Sequence, residues 1–130
     1  MTLIDRLFRA ASSDLSEPAE LVVHDAASWE GTWERLTAAT VPAPDRPVVD
    51  FSRDVVLVVA AGERPSGGWR VTVDAVRPAA DGGLDVTYTV AGPAPECFTT
   101  QVITAPVDVV RVPRPAGTVR FAARTLLEPC

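Results

Sequence analysis

The chain has no lysine, and its twelve basic residues are all arginines. They are scattered singly from Arg6 to Arg124, and the net charge is −5. A nucleic-acid site needs clustered cations to displace the counterions of phosphates, so this distribution argues against such a partner. Histidine is almost as scarce. His24, the single one, stands at the end of a predicted strand, where it reads as a surface residue. Any Ser-His-Asp or Cys-His site would have to use it, and a His-based metal centre would lack further ligands at workable spacing. The two cysteines, Cys97 and Cys130, form no C-x-x-C motif, which speaks against zinc and thioredoxin-type chemistry.

Long apolar runs are also missing. No stretch approaches the ~18 residues of a membrane span, so no span is expected. Asp5 and Arg6 interrupt the first residues, where the core of a secretion signal would carry no charge. No signal is therefore expected in the chain as given, which leaves open a leader or lipid anchor removed upstream.

What is present is apolar surface: 47% of residues are hydrophobic and 22% charged, a balance that folds rather than staying disordered. Residues 1–19 read as a flexible leader, because serines, acids and Pro18 break the short pattern of Ile4, Leu7 and Phe8. Residues 20–130 read as one β-rich domain. Leu21-Val22-Val23 is a first strand. A helix follows over residues 28–38, capped by Ser28, with Trp29, Trp33 and Leu36 at i, i+4 and i+7 on one face. Those rings should lie on a sheet. Gly31 weakens this helix by about 1 kcal/mol relative to alanine.

After a connector holding Pro42, Pro44 and Pro47, strands are expected over residues 48–51 and 55–60. Two alternating strands follow over 69–76 and 84–90, joined by Asp81-Gly82-Gly83, whose glycines suit a hairpin turn. A long β stretch over 101–112, interrupted by Pro106, and a last strand over 119–127 complete the chain. The expected fold is α+β: an antiparallel meander of about six strands, sandwich-like, with one packed helix.

Few residues invite chemistry. Asp50 and Asp54 bracket a strand break, where turn capping is the simpler role than cation binding or acid–base work. No cofactor and no catalytic residue is expected. One loop stands out: Arg64, Pro65, Ser66, Gly67, Gly68 and Trp69 lie between two clear strands. It serves either as a tight turn that delivers Trp69 to the core, or as a recognition loop whose small residues let a partner's backbone approach.

This loop, together with Val49-Asp50-Phe51, the strand over 55–60, the Pro93-Ala94-Pro95 loop and Thr104-Ala105-Pro106 before the strand to Val112, resembles the C-terminal domain of the protease complex subunit PrcB, a bacterial family. Its hallmark is a Pro-Thr-Gly-Gly-Tyr-like turn, then a Pro-rich loop, then a Thr-x-Pro strand. Here Ser66 stands for the usual threonine and Trp69 for the tyrosine. The resemblance covers residues 48–112. It implies an extracytoplasmic, often lipid-anchored protein that associates with a secreted protease and stabilises it. The Pro-Ser-Gly-Gly-Trp turn is also similar to the Thr-Gly-aromatic loop of chagasin-type cysteine protease inhibitors, which would make residues 65–69 a wedge for an active-site cleft. The expected function is thus a non-enzymatic, protein-binding domain, with protease inhibition as the alternative.

Cys97 and Cys130 are expected to form a disulfide. Cys97 opens a Thr-rich segment and Cys130 ends the chain, and a final segment frays unless something ties it down. Two independent thiols are the alternative.

Overall fold

The computed structural model describes residues 4–130. It contains seven strands and one helix: β1 (Asp5–Ala10), β2 (Pro18–Val23), α1 (Ala26–Leu36), β3 (Asp54–Ala61), β4 (Arg70–Pro78), β5 (Leu84–Pro93), β6 (Val107–Pro113) and β7 (Val119–Glu128). The strands form two sheets, ordered β1-β6-β3-β2 and β4-β5-β7. The α+β, β-rich reading with one helix therefore stands, but the single antiparallel meander does not. β5 and β7 run parallel, with Leu84 opposite Val119 and Pro93 opposite Glu128. A parallel pair needs a long crossover, and here the whole of β6, inserted into the other sheet between β1 and β3, lies on the path between the two strands.

β3 explains why residues 55–60 are apolar without alternation. Val55, Leu57 and Val59 face the second sheet and pack with Val71, Val73, Val86 and Val90. Val56, Val58 and Ala60 face the other way and pack beneath Trp29, Trp33 and Leu36 of α1. A strand covered on both faces loses the period-2 signature. The molecule is thus layered, with helix, first sheet and second sheet in turn, and β3 and β6 form the middle.

The helix lays its two tryptophans on the sheet as expected, but its cap differs. Asp25, not Ser28, is the N-cap: its carboxylate accepts the Ser28 N–H at 2.8 Å. Both residue types suit this position, and the chain enters helical geometry three residues earlier than the tryptophan spacing suggests. The indole N–H groups of Trp29 and Trp33 donate to the Pro47 and Pro44 carbonyls at 2.9 and 3.2 Å. The proline connector, poor in donors, is held through its acceptors.

Residues 5–19, expected as part of a flexible leader, are built into the fold, while residues 1–3 lie outside the described residues. β1 pairs with β6, and Leu15 is buried against the helix cluster. The short β1 carries too little apolar pattern to announce itself, because its partner strand is about a hundred residues away. Residues 48–51 are not a strand. Asp50 accepts from the Ser52 N–H and hydroxyl at 3.0 and 2.6 Å, which turns the chain before β3. Of the stretch 101–112, regular pairing starts only at Val107, after Pro106. Asp81, Gly82 and Gly83 do make the β4–β5 turn, with Gly82 at φ 84°.

One buried carboxylate joins the sheets. Asp108 on β6 is fully buried, accepting from Arg6 Nε and Nη2 of β1 at 2.8 and 3.0 Å and from the Val73 N–H of β4 at 2.7 Å. The Asp108 hydrogen bond is the main reason the Arg6 guanidinium holds its proton more tightly than usual. Elsewhere the Tyr88 hydroxyl donates to Glu20 of β2 at 2.6 Å, and burial pushes the phenol's pKa up.

Candidate functional site

The loop of residues 64–69 is fastened at several points. Arg64 and Thr104 exchange backbone hydrogen bonds at 2.7 and 3.0 Å. The Thr104 hydroxyl donates to the Ser66 carbonyl at 2.9 Å, and the Gly67 N–H donates to Thr100 O at 2.9 Å. The Arg64 guanidinium lies 4.7 Å from the centre of the Trp69 ring, within cation–π range, and its Nη2 donates to Ala61 O. Gly68 sits at φ 90°, a conformation open to glycine but costly for other residues.

Trp69 turns inward. Its ring is half-buried beside the inter-sheet core and lies so close to Gly92 that a β-carbon there would come within 2.3 Å of it. Of the two roles the sequence allows the loop, delivery of Trp69 to the core is the one the geometry matches. A wedge that enters a cleft needs a projecting ring, and this ring is engaged. Pro65 and Gly68 are the exposed residues of the loop.

Beside it, Cys97 and Cys130 lie at disulfide distance, with Sγ atoms 2.11 Å and Cα atoms 5.4 Å apart, across 33 residues of chain. The pair ties the end of the chain to the segment after the Pro-rich loop. Gly67, Gly68, Pro93, residues 97–100 and residues 128–130 together line an open groove of about 600 Å³. At its rim Phe98 is fully exposed, and Val102 and Ile103 are exposed a few residues on. An exposed Phe and Ile within one short segment are unusual on a folded surface. Sequence reasoning missed Phe98. Its one signal was a single aromatic ring between Pro93-Ala94-Pro95-Glu96-Cys97 and Thr99-Thr100-Gln101.

The other candidates resolve into structure. His24 is exposed. Asp50 is engaged by Ser52, whose hydroxyl holds the carboxyl below its usual pKa. Among the described residues, no group of His, Cys, Asp and Glu could hold a metal ion, and no helix is long and apolar enough to cross a membrane.

No curated protein and no solved structure matches the chain. Residues 55–113, the span from β3 to β6 that contains the Arg64–Trp69 loop, the Pro-rich loop and Phe98, match the family described as PrcB C-terminal.

Proposed function

We propose that the domain is a non-enzymatic protein-binding module, and that its contact face is the groove beside Cys97 and Cys130. Phe98 carries this reading. Its ring stands fully in solvent on a segment held by the cysteine pair on one side and by the Arg64–Thr104 bridge on the other. An aromatic anchor on a rigid support loses little conformational entropy on binding. The groove beside it is more apolar than polar and bordered by Gly67 and Gly68, whose small size admits a partner's main chain. A protease as partner follows from the family resemblance, in which the namesake associates with a secreted protease and stabilises it.

The test is affinity capture from the native organism with the wild-type domain and with Phe98→Ser. Capture of a protease by the wild type alone supports the reading. Its proteolytic half-life and rate with and without the domain then separate a stabiliser from an inhibitor. Equal capture by both proteins would move the contact face elsewhere. Turnover of a small molecule by the purified domain would overturn the non-enzymatic assignment.

A further inference from the structure

The edges of the two sheets are not equally guarded. The free edge of β4 is met by Asp108 and Arg6 at Val73 and carries a bulge between Val73 and Ala75. β1 is six residues long and bulged between Arg6 and Phe8. β2 is also six residues long and opens with Pro18. Short strands, bulges, prolines and inward charges are the devices that stop edges from pairing with other chains. β7 is not short, bulged or interrupted by proline, and of its charges Arg120 and Glu128 are paired within the domain. It runs ten residues without a proline or a register shift, and among the described residues β5 is its only neighbour in the sheet.

The phase of its hydrogen bonding follows from both ends. The Leu84 N–H donates to Thr118 O at 3.1 Å, and the Ala94 N–H donates to Glu128 O at 3.0 Å. Even-numbered residues of β7 therefore bond to β5, and the N–H and C=O groups of Val119, Phe121, Ala123, Thr125 and Leu127 point outward. Val119 and Phe121 pack against the inter-sheet core, while Ala123, Thr125 and Leu127, which share their parity along the strand, are exposed. A row of alternating donors and acceptors of this kind is complementary to another extended backbone.

We infer that β7 pairs antiparallel with β7 of a second copy about a two-fold axis at Ala123, joining the two three-stranded sheets into one of six strands. The charges select this register. With Ala123 on the axis, Val119 faces Leu127 and Phe121 faces Thr125 of the other copy, while Arg120 faces Leu126 and Arg124 faces Ala122. No like charges meet, and the arginine stems cover the half-exposed leucine and the alanine. Moving the axis by one residue toward the C-terminus sets Arg124 against itself, and moving it one toward the N-terminus sets Arg120 against Arg124. Arg120 is already paired with Asp81 and Asp85 at 2.9 and 2.8 Å, and Glu128 with Arg70, so pairing brings those charges in neutralised. The contact is isologous and closes at two copies.

This surface is separate from the groove at Phe98, so the two readings fail independently. The test is sedimentation of the purified domain over a wide range of concentration. The wild type is expected to dimerise. Ala123→Pro deletes an N–H that β5 does not use, so it should leave the fold intact by circular dichroism and yield a monomer. Ala122→Arg places like charges opposite each other twice and should weaken the dimer about tenfold, whereas Ala122→Glu, facing Arg124, should tighten it. The Ala122 variants change an exposed side chain and keep the test valid if the proline variant unfolds. A wild type that stays monomeric at every concentration, or a dimer indifferent to the Ala122 variants, would overturn the proposal, and the first outcome would leave the edge to a strand of a different protein.

Discussion

Asp108 on β6 reaches across the sandwich to the Val73 N–H of β4 at 2.7 Å, the donor that an unguarded edge would offer to another chain. The same carboxylate takes two hydrogen bonds from Arg6. One buried charge thus joins β1, β6 and β4 and seals one side of the sandwich. Removing it leaves the Val73 donor and the guanidinium without their partner. Asp108→Ala is expected to destabilise the domain by about 2–4 kcal/mol, read from the midpoint of denaturant unfolding. Arg6→Ala should cost less, about 1–2 kcal/mol, because Arg6 is partly exposed and water can enter beside Asp108.

The contact between Trp69 and Gly92 predicts a coupled pair. Gly92→Ala places a methyl where the ring now lies, which should displace Trp69, cost about 1–3 kcal/mol and change the tryptophan fluorescence. In a Trp69→Ala background the same substitution should cost much less. Additive losses in the double-mutant cycle would contradict the contact.

The cysteine pair closes a loop of 33 residues. Its reduction, or Cys130→Ser, should lower stability by roughly 3–4 kcal/mol less any strain, by restoring freedom to the unfolded chain. Thiol titration of denatured, unreduced protein should find no free thiol, and finding two would refute the bond.

Low pH should weaken the domain through its turn and cap carboxylates. The Ser28 N–H holds Asp25, the Ser52 hydroxyl holds Asp50, and the Arg120 guanidinium holds Asp81 below the usual 3.8. A group whose folded pKa is depressed stabilises the fold above its unfolded pKa, and that contribution is lost as pH falls through the folded value. The unfolding midpoint should accordingly be insensitive to these groups down to about pH 4 and fall below it. Asp25→Asn retains the cap and should reduce the acid dependence. Ser28→Ala keeps the donating backbone N–H and should change little.

The strands that could be read in advance were those whose pattern has a local cause. The hairpin of β4 and β5 shows alternation around a glycine turn, and α1 shows its tryptophans at helical spacing. β1 was missed and residues 48–51 were misread, because the first owes its existence to a distant partner and the second is bent by the Asp50 side chain. At the candidate site, the Arg64–Trp69 loop and the Cys97–Cys130 pair were visible as motifs. Phe98 was not, since exposure is not written in a residue's type.

The sequence by itself determined the β-rich composition, the single helix with its buried face, the turn at residues 81–83 and the family pattern from β3 to β6. Each of these rests on periodicity or backbone preference within a few residues. Only the tertiary structure decided that β6 inserts between β1 and β3, that β7 returns parallel to β5 with a bare edge, that Asp108 is buried, and that Trp69 turns inward while Phe98 stays outside. These depend on contacts between residues far apart in the chain, where the free energy comes from burial and pairing that no local window contains.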